Sequence, residues 1–245
     1  MIASWRGWIG VGSVVGLVLL AVIVTVPGLR HRALRLALGG GMGRYTVDDR
    51  LAEFGAAAQQ RLAPRFAAAG VAWPPPRAVF VAFKDARRLE CYAPGADGAL
   101  RFLHAWPILA ASGEAGPKLR EGDGQVPEGI YAVSSLNPNS AFHVSLRVDY
   151  PNAADRAQGA RDGRDRLGGD IMIHGGSASI GCLAMGDPAA EELFTLAARC
   201  GLANLTVLIA PTDLRHHPPP PANQAWIAAR YAALTTALAA MPAPP

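Results

Sequence analysis

Residues 8–26, WIGVGSVVGLVLLAVIVTV, carry no charge, and no other stretch limits so sharply what this chain can fold into. A helix rises about 1.5 Å per residue, so the run reaches roughly 28 Å, close to the roughly 30 Å of a bilayer's hydrocarbon core. Trp5 and Trp8 stand where an interfacial aromatic belt belongs. The expectation is an N-terminal transmembrane helix within residues 1–30. A cleaved signal segment is the alternative. Its usual apolar stretch is shorter, and no A-x-A site follows here. The flanking arginines pull the other way on orientation. Arg6 alone precedes the run, whereas Arg30, Arg32, Arg35 and Arg44 follow it. A positive-inside count would keep the remainder in the cytoplasm.

Beyond this segment the chain is apolar enough to bury a core. Hydrophobic residues are 51% and charged residues 17%, which excludes disorder through most of its length. The net charge of +4 is small and scattered, so nucleic acid is not an expected partner. Three cysteines, Cys91, Cys182 and Cys200, make neither a disulfide framework nor a CxxC zinc pair.

Residues 31–76 read as a linker and helical segment. Gly39, Gly40, Gly41 and Gly43 form a joint. A helix is predicted from Thr46 to about Arg61, capped by Thr46 and ended or kinked by Pro64. After Trp73-Pro74-Pro75-Pro76 the pattern changes to short apolar runs between Gly, Pro, Asn and Asp. Strands are predicted at residues 78–83, 130–133, 142–148, 171–173 and 205–209. A helix is predicted to start at Asp187, as N-cap, with Pro188 next. Residues 77–212 thus read as a mainly β domain with inserted helices. Residues 213–245 read as a Pro-rich spacer and an Ala-rich helix near 224–240.

The chemistry concentrates in DIMIHGGSASIGCLAMGD, residues 170–187. A strand delivers His174, and a loop of small residues returns the chain to Cys182. A cysteine nucleophile acts as the thiolate, and a neighbouring imidazole can take its proton and later hand it to a leaving amine. Gly175, Gly176 and Gly181 permit close backbone approach. Amides around Gly181 and Cys182 are placed to face an oxyanion. The Ser177 and Ser179 hydroxyls are candidates to orient the imidazole or hold the loop. Zinc fits poorly: His174, Cys182 and Asp187 make only a partial ligand set.

This segment resembles the active-site segment of the L,D-transpeptidase catalytic domain family, cysteine enzymes of the bacterial cell wall. The shared signature is a His-Gly, here His174-Gly175, followed by Ser/Thr-x-Gly-Cys, here Ser179-Ile180-Gly181-Cys182. Gly116-Pro117-Lys118, Glu121-Gly122-Asp123, Val126-Pro127-Glu128-Gly129-Ile130-Tyr131, Ser135-Leu136-Asn137-Pro138-Asn139-Ser140 and Asp149-Tyr150-Pro151-Asn152 resemble further landmarks. The likeness covers roughly residues 78–211. Most members carry His where Ile180 stands, and many carry Arg or Asn where Ala184 stands. The loop from His to Cys is also shorter than in most. In these features the chain resembles a sub-branch some of whose members detach lipoprotein from peptidoglycan.

The resemblance implies a β-sandwich or barrel-like catalytic domain. Cys182 is then the nucleophile and His174 the general acid/base. The Gly181 and Cys182 amides form the oxyanion hole, and Ser179 supports His174. Gly175, Ser177 and Met185 are candidate substrate-binding residues. His143 is another, with a packed strand histidine equally consistent. Cys91 and Cys200 read as buried packing. Lys118 and Arg120 are candidates for stem carboxylates, with solvated surface charge the preferred reading. No metal or cofactor is implied. Partners are diaminopimelate-containing peptide stems, wall-linked lipoprotein and, through the N-terminal helix, the membrane. The substrate overrides the arginine count and places the catalytic domain in the periplasm. Transfer, hydrolysis and a non-catalytic wall-binding module remain the competing activities.

Overall fold

The computed structural model describes residues 44–244, which fall into two compact units, residues 44–56 and 57–244. The expected membrane anchor lies outside the described residues. Among these, no helix is long and apolar enough to cross a membrane.

In the first unit, Thr46 starts helix α1 (Val47–Arg50) as expected. Its hydroxyl accepts the Asp49 N–H at 3.2 Å, and the Asp49 carboxylate accepts the Thr46 N–H at 2.7 Å. These reciprocal bonds satisfy orphan amides of the first turn. A π-helical stretch, Leu51–Gly55, follows. Helix α2 (Ala56–Ala68) does not stop at Pro64 but carries it internally. Pro64 removes one backbone bond. Burial of Leu62 and Phe66 on either side of it, with the Phe66 ring edge-on to Trp73 at 4.9 Å, offsets the loss.

The larger unit is built on an eight-stranded sheet. Its strands are β1 (Ala78–Phe83), β2 (Arg88–Pro94), β3 (Leu100–Pro107), β4 (Gly129–Ser140), β5 (His143–Val148), β6 (Met172–His174), β7 (Leu183–Ala184) and β8 (Leu205–Ala210). The order is β3-β2-β1-β8-β4-β5-β6-β7. The mainly β expectation therefore holds. The strands run in one line with β3 and β7 at its ends. Long strand β4 is the joint: Gly129–Ala132 pair with β8, and Val133–Ser140 pair with β5 through two register shifts. Each such irregularity bends the strand.

Helix α3 (Ala153–Arg161) starts at a capping box between Asn152 and Asp155. Helix α4 (Asp187–Cys200) packs against β5 and β6. Its N-cap is Gly186, not Asp187, so Pro188 sits one position further in than expected. The Asp187 carboxylate is occupied elsewhere, as shown below. Helix α5 (Ala225–Ala239) lays Ile227, Tyr231, Leu234 and Leu238 on Val79, Val81, Phe83 and Leu208. These four positions recur at helical spacing, and the rest of the helix is largely alanine.

One buried ion pair joins the sheet to the loops. Lys84 Nζ lies 2.9 Å from Glu128 Oε1 and donates to the carbonyls of Gly116 and Val126. Glu128, fully buried, also accepts from the Gly116 N–H and the Tyr231 hydroxyl. Burial pulls the Lys84 ammonium down from its ordinary value, and Glu128 opposes the fall. The segment between β3 and β4, residues 108–128, is thereby clamped at Gly116 and again at Val126–Glu128.

Candidate active site

Strand pairing puts the chemistry on one face. β5 pairs antiparallel with β6, Ser145 opposite His174 and Arg147 opposite Met172. β6 pairs parallel with β7, Ile173 beside Leu183 and His174 beside Ala184. One step back in that register, Cys182 lies beside Met172. Side chains alternate along strands and paired residues share a face. Val144, Leu146, Ile173 and Leu183 accordingly form one fully buried set. Ser145, Arg147, Met172, His174 and Cys182 belong to the other face, with His174 and Cys182 two positions apart along the sheet.

His174 is 3% exposed. The Phe142 ring stacks on it with centroids 4.7 Å apart. Its Nδ1 lies 2.6 Å from the Gly175 carbonyl oxygen. A carbonyl only accepts, so Nδ1 carries the proton and Nε2 holds the free lone pair. Burial lowers the pKa of the ring, and the Gly175 bond partly opposes this. The imidazole at neutral pH is a base awaiting a proton.

Cys182 is half-buried, not sealed in the core. Its sulfur accepts the Met172 N–H at 3.3 Å, and its thiol donates to the Asp170 carbonyl at 3.4 Å. Burial pushes the thiol pKa up, with the Met172 N–H and the Lys118 charge opposing and Asp170 adding to the rise. At rest the Cys182 thiol is protonated and donates to backbone and not to the imidazole. Rotation of the S–H is required before His174 can take the proton.

The loop between the two residues is held by glycine and by Asp187. A Cβ at Gly175 would sit 2.5 Å from Asp187 Oδ1 and 2.7 Å from the Phe142 carbonyl oxygen. Asp187 Oδ1 also accepts the Gly176 N–H at 2.8 Å. Gly181, at φ +79°, turns the chain into Cys182 in a conformation other residues rarely adopt. The substitution Gly175→Ala is expected to cost about 1–3 kcal/mol through this overpacking. Urea unfolding of the variant measures it, and an unchanged midpoint would contradict the close approach.

Both candidate oxyanion donors are engaged. The Gly181 N–H donates to Ser112 Oγ at 2.7 Å, and the Cys182 N–H donates to Ser179 Oγ at 3.1 Å. Ser179 therefore sits on the Cys182 amide and not against the His174 ring. Ser112 escaped the sequence reading because nothing in ASGEAG marks it. It is brought in by the segment 108–128, which lies along the open edge of β7: the Ala184 N–H donates to the Ala110 carbonyl and the Ala184 carbonyl accepts the Leu109 N–H. Covering an edge strand in this way blocks further strand addition there.

Other expected residues are placed differently. Met185 is buried at 3% and donates its N–H to the His174 carbonyl, so it packs and does not line an open groove. Ser177 is exposed. His143 turns to helix α4, where Nε2 lies 3.1 Å from Glu191 Oε1. Lys118 is not solvated: it is 7% exposed, with Nζ 2.6 Å from Asp123 Oδ1. Asp123 also accepts the N–H groups of Leu119, Arg120 and Gln125, which closes the local turn. Arg120 is exposed. Cys91 and Cys200 are buried, as expected of packing residues. Among the described residues, no three His, Cys, Asp or Glu side chains gather as a metal-ligand set.

Residues 76–207 match the L,D-transpeptidase catalytic domain (YkuD) family. YafK of Escherichia coli (strain K12), provisionally named an L,D-transpeptidase, is 38% identical over 114 residues, 46% of this chain and 44% of that protein. The crystal structure of the helical cell shape determining protein Pgp2 from Campylobacter jejuni is 24% identical, with TM-score 0.45, over 56% of this chain and 48% of Pgp2. That of Mycobacterium tuberculosis L,D-transpeptidase 1 is 15% identical, with TM-score 0.32, over 54% of this chain and 61% of that one. The chain thus spans less than half the length of the curated relative it matches.

Proposed function

The chain belongs to the L,D-transpeptidase catalytic domain family, and from that membership we propose that it is a cysteine acyltransferase of peptidoglycan peptide stems. The observation that carries the reading is the pair on one sheet face. It consists of a half-buried Cys182 thiol and, two positions along, a His174 ring whose Nδ1–H is fixed on Gly175, leaving Nε2 basic.

His174 Nε2 takes the thiol proton as Sγ attacks the carbonyl of an L,D-configured peptide bond beside diaminopimelate. The negative oxygen that develops is met by the Gly181 and Cys182 N–H groups once the Ser112 and Ser179 hydroxyls yield those donors. Collapse breaks the C–N bond, and His174 returns its proton to the departing amine. A thioester on Cys182 remains. An amine of another stem resolves it in cross-linking, and water resolves it in cleavage.

Cleavage is the second reading, and one observation favours it. Ala184 stands where many members carry Arg or Asn, a departure in which the chain resembles the sub-branch some of whose members detach lipoprotein from peptidoglycan. A lipoprotein joined to the wall is then a substrate class beside the stem cross-link. The catalytic domain works outside the cytoplasmic membrane, tethered by residues 8–26.

Incubating the full chain with disaccharide-tetrapeptides and with lipoprotein-bearing sacculi, followed by mass spectrometry, tests these readings. New cross-linked dimers support transfer. Released lipoprotein or trimmed stems support cleavage. Binding with neither product would leave only a wall-binding module. A phosphatase fused at the carboxyl end should be active if the domain is exported.

A further inference from the structure

The face that carries Cys182 also carries one exposed cation, Arg147. Neighbouring strands lie roughly 4.8 Å apart, so the Cα positions of Arg147 and Cys182, separated by β6, are roughly 10 Å apart. The Arg147 guanidinium lies 2.7 Å from Asp170 Oδ1, and both side chains are well exposed, at 46% and 77%. Asp170 adopts φ +56°, a left-handed conformation that Asp tolerates better than most residues. In that conformation its carbonyl receives the Cys182 thiol while its carboxylate faces Arg147. One residue thus connects the nucleophile to an exposed pair of opposite charges.

Arg147 further lines a groove of about 600 Å³ together with Ser135, Asp149, Asn152 and Arg156. Asp149 in this groove is engaged, since its Oδ1 accepts the Ala132 N–H at 2.9 Å. Arg156 is likewise engaged, donating to the Pro151 carbonyl. Among the described residues, the Arg147 side chain pairs only with the exposed Asp170. Lys118 does not compete for this role, since it is buried on Asp123.

We propose that Arg147 and Asp170 form the subsite for a zwitterionic amino-acid end of the substrate, its carboxylate on Arg147 and its ammonium on Asp170. An exposed pair of opposite sign is the electrostatic complement of such an end, and a planar guanidinium grips a carboxylate with two parallel bonds. The inference rests on the reading of peptide stems as substrate and deepens it. The diamino acid whose carbonyl Cys182 attacks carries just such an end on a short methylene arm. Anchoring the arm two strands from the thiol fixes which carbonyl meets the sulfur.

The test uses the full chain carrying Cys182→Ala, so that binding is read without turnover. Two probes are titrated calorimetrically: the tetrapeptide L-Ala-γ-D-Glu-meso-diaminopimelate-D-Ala, and the same peptide amidated at the side-arm carboxylate. The free carboxylate is expected to bind about 10-fold tighter, as befits a charge-assisted pair at a half-exposed site. Adding Arg147→Gln should erase the preference, and Arg147→Lys should keep part of it. Equal binding of the two probes, or a preference that survives Arg147→Gln, overturns the subsite while leaving the stem substrate intact. Failure of both probes to bind, together with absence of turnover by the unsubstituted chain, defeats the functional reading and the subsite with it.

Discussion

Substitution of Cys182 by alanine is expected to bring muropeptide conversion down to the rate without enzyme, and His174→Gln to lower kcat/KM by about 10² to 10⁴. The two losses differ in kind. Without Cys182 no thioester forms, so no adduct mass is found on the protein. Without His174 the sulfur is still present but nothing accepts its proton. The pH profile separates them. Burial holds the His174 ring below the ordinary imidazole value, so its basic form persists to more acid pH than a free histidine near 6.5 allows. Activity of the unsubstituted enzyme should therefore be flat through neutrality and fall only below about pH 6.5. In His174→Gln the thiol must ionise unaided, and burial has raised its pKa. Residual activity should then climb about tenfold per pH unit across the neutral range. A His174→Gln variant that keeps more than about a tenth of the activity, or shows the unsubstituted profile, removes His174 from the role of general base.

The second large effect concerns stability. Glu128→Gln takes the counter-charge from a lysine that has almost no access to water. Breaking one side of a buried pair costs about 3–5 kcal/mol, against a total stability of about 5–15 kcal/mol for an ordinary domain. Urea or thermal unfolding should show the loss, and a change below about 1 kcal/mol would mean that Lys84 finds another partner. The damage should also reach the site. Glu128 and Lys84 hold Gly116 and Val126, and between those residues and β3 lies Ser112, whose hydroxyl occupies the Gly181 amide.

Legibility in the sequence follows whether the cause is local. Strand β1 was read with its correct limits because all six residues are buried and none is polar. The His174–Cys182 segment is conspicuous in the sequence because glycine and serine crowd between two reactive side chains. Strand β2 was invisible: Glu90 interrupts its apolar pattern, yet it is fully buried. It is made tolerable by Arg88, Tyr92 and Arg215, the last of which lies 125 residues away. Ser112 was missed for the same reason, since its partner Gly181 is 69 residues distant. Helix α3 was missable but not hidden, because Asn152 and Asp155 carry the spacing of a capping box. Lys118 reads in the sequence as a surface charge, although Asp123, five residues on, receives it. Pro64 does not end the helix: a rule about lost hydrogen bonds says nothing of what Phe66 gains by burial.

The hydrogen bond from the Cys182 thiol to the Asp170 carbonyl bears on durability as well as on catalysis. Peroxides and alkylating agents react with the ionised sulfur, and the path from sulfenic to sulfonic acid begins there. A sulfur that waits in its acid form, donating to backbone, offers such reagents little to attack. On the proposed function, its nucleophilicity is released only when a bound peptide turns the hydrogen toward a base, so that reactivity is withheld from stray oxidants.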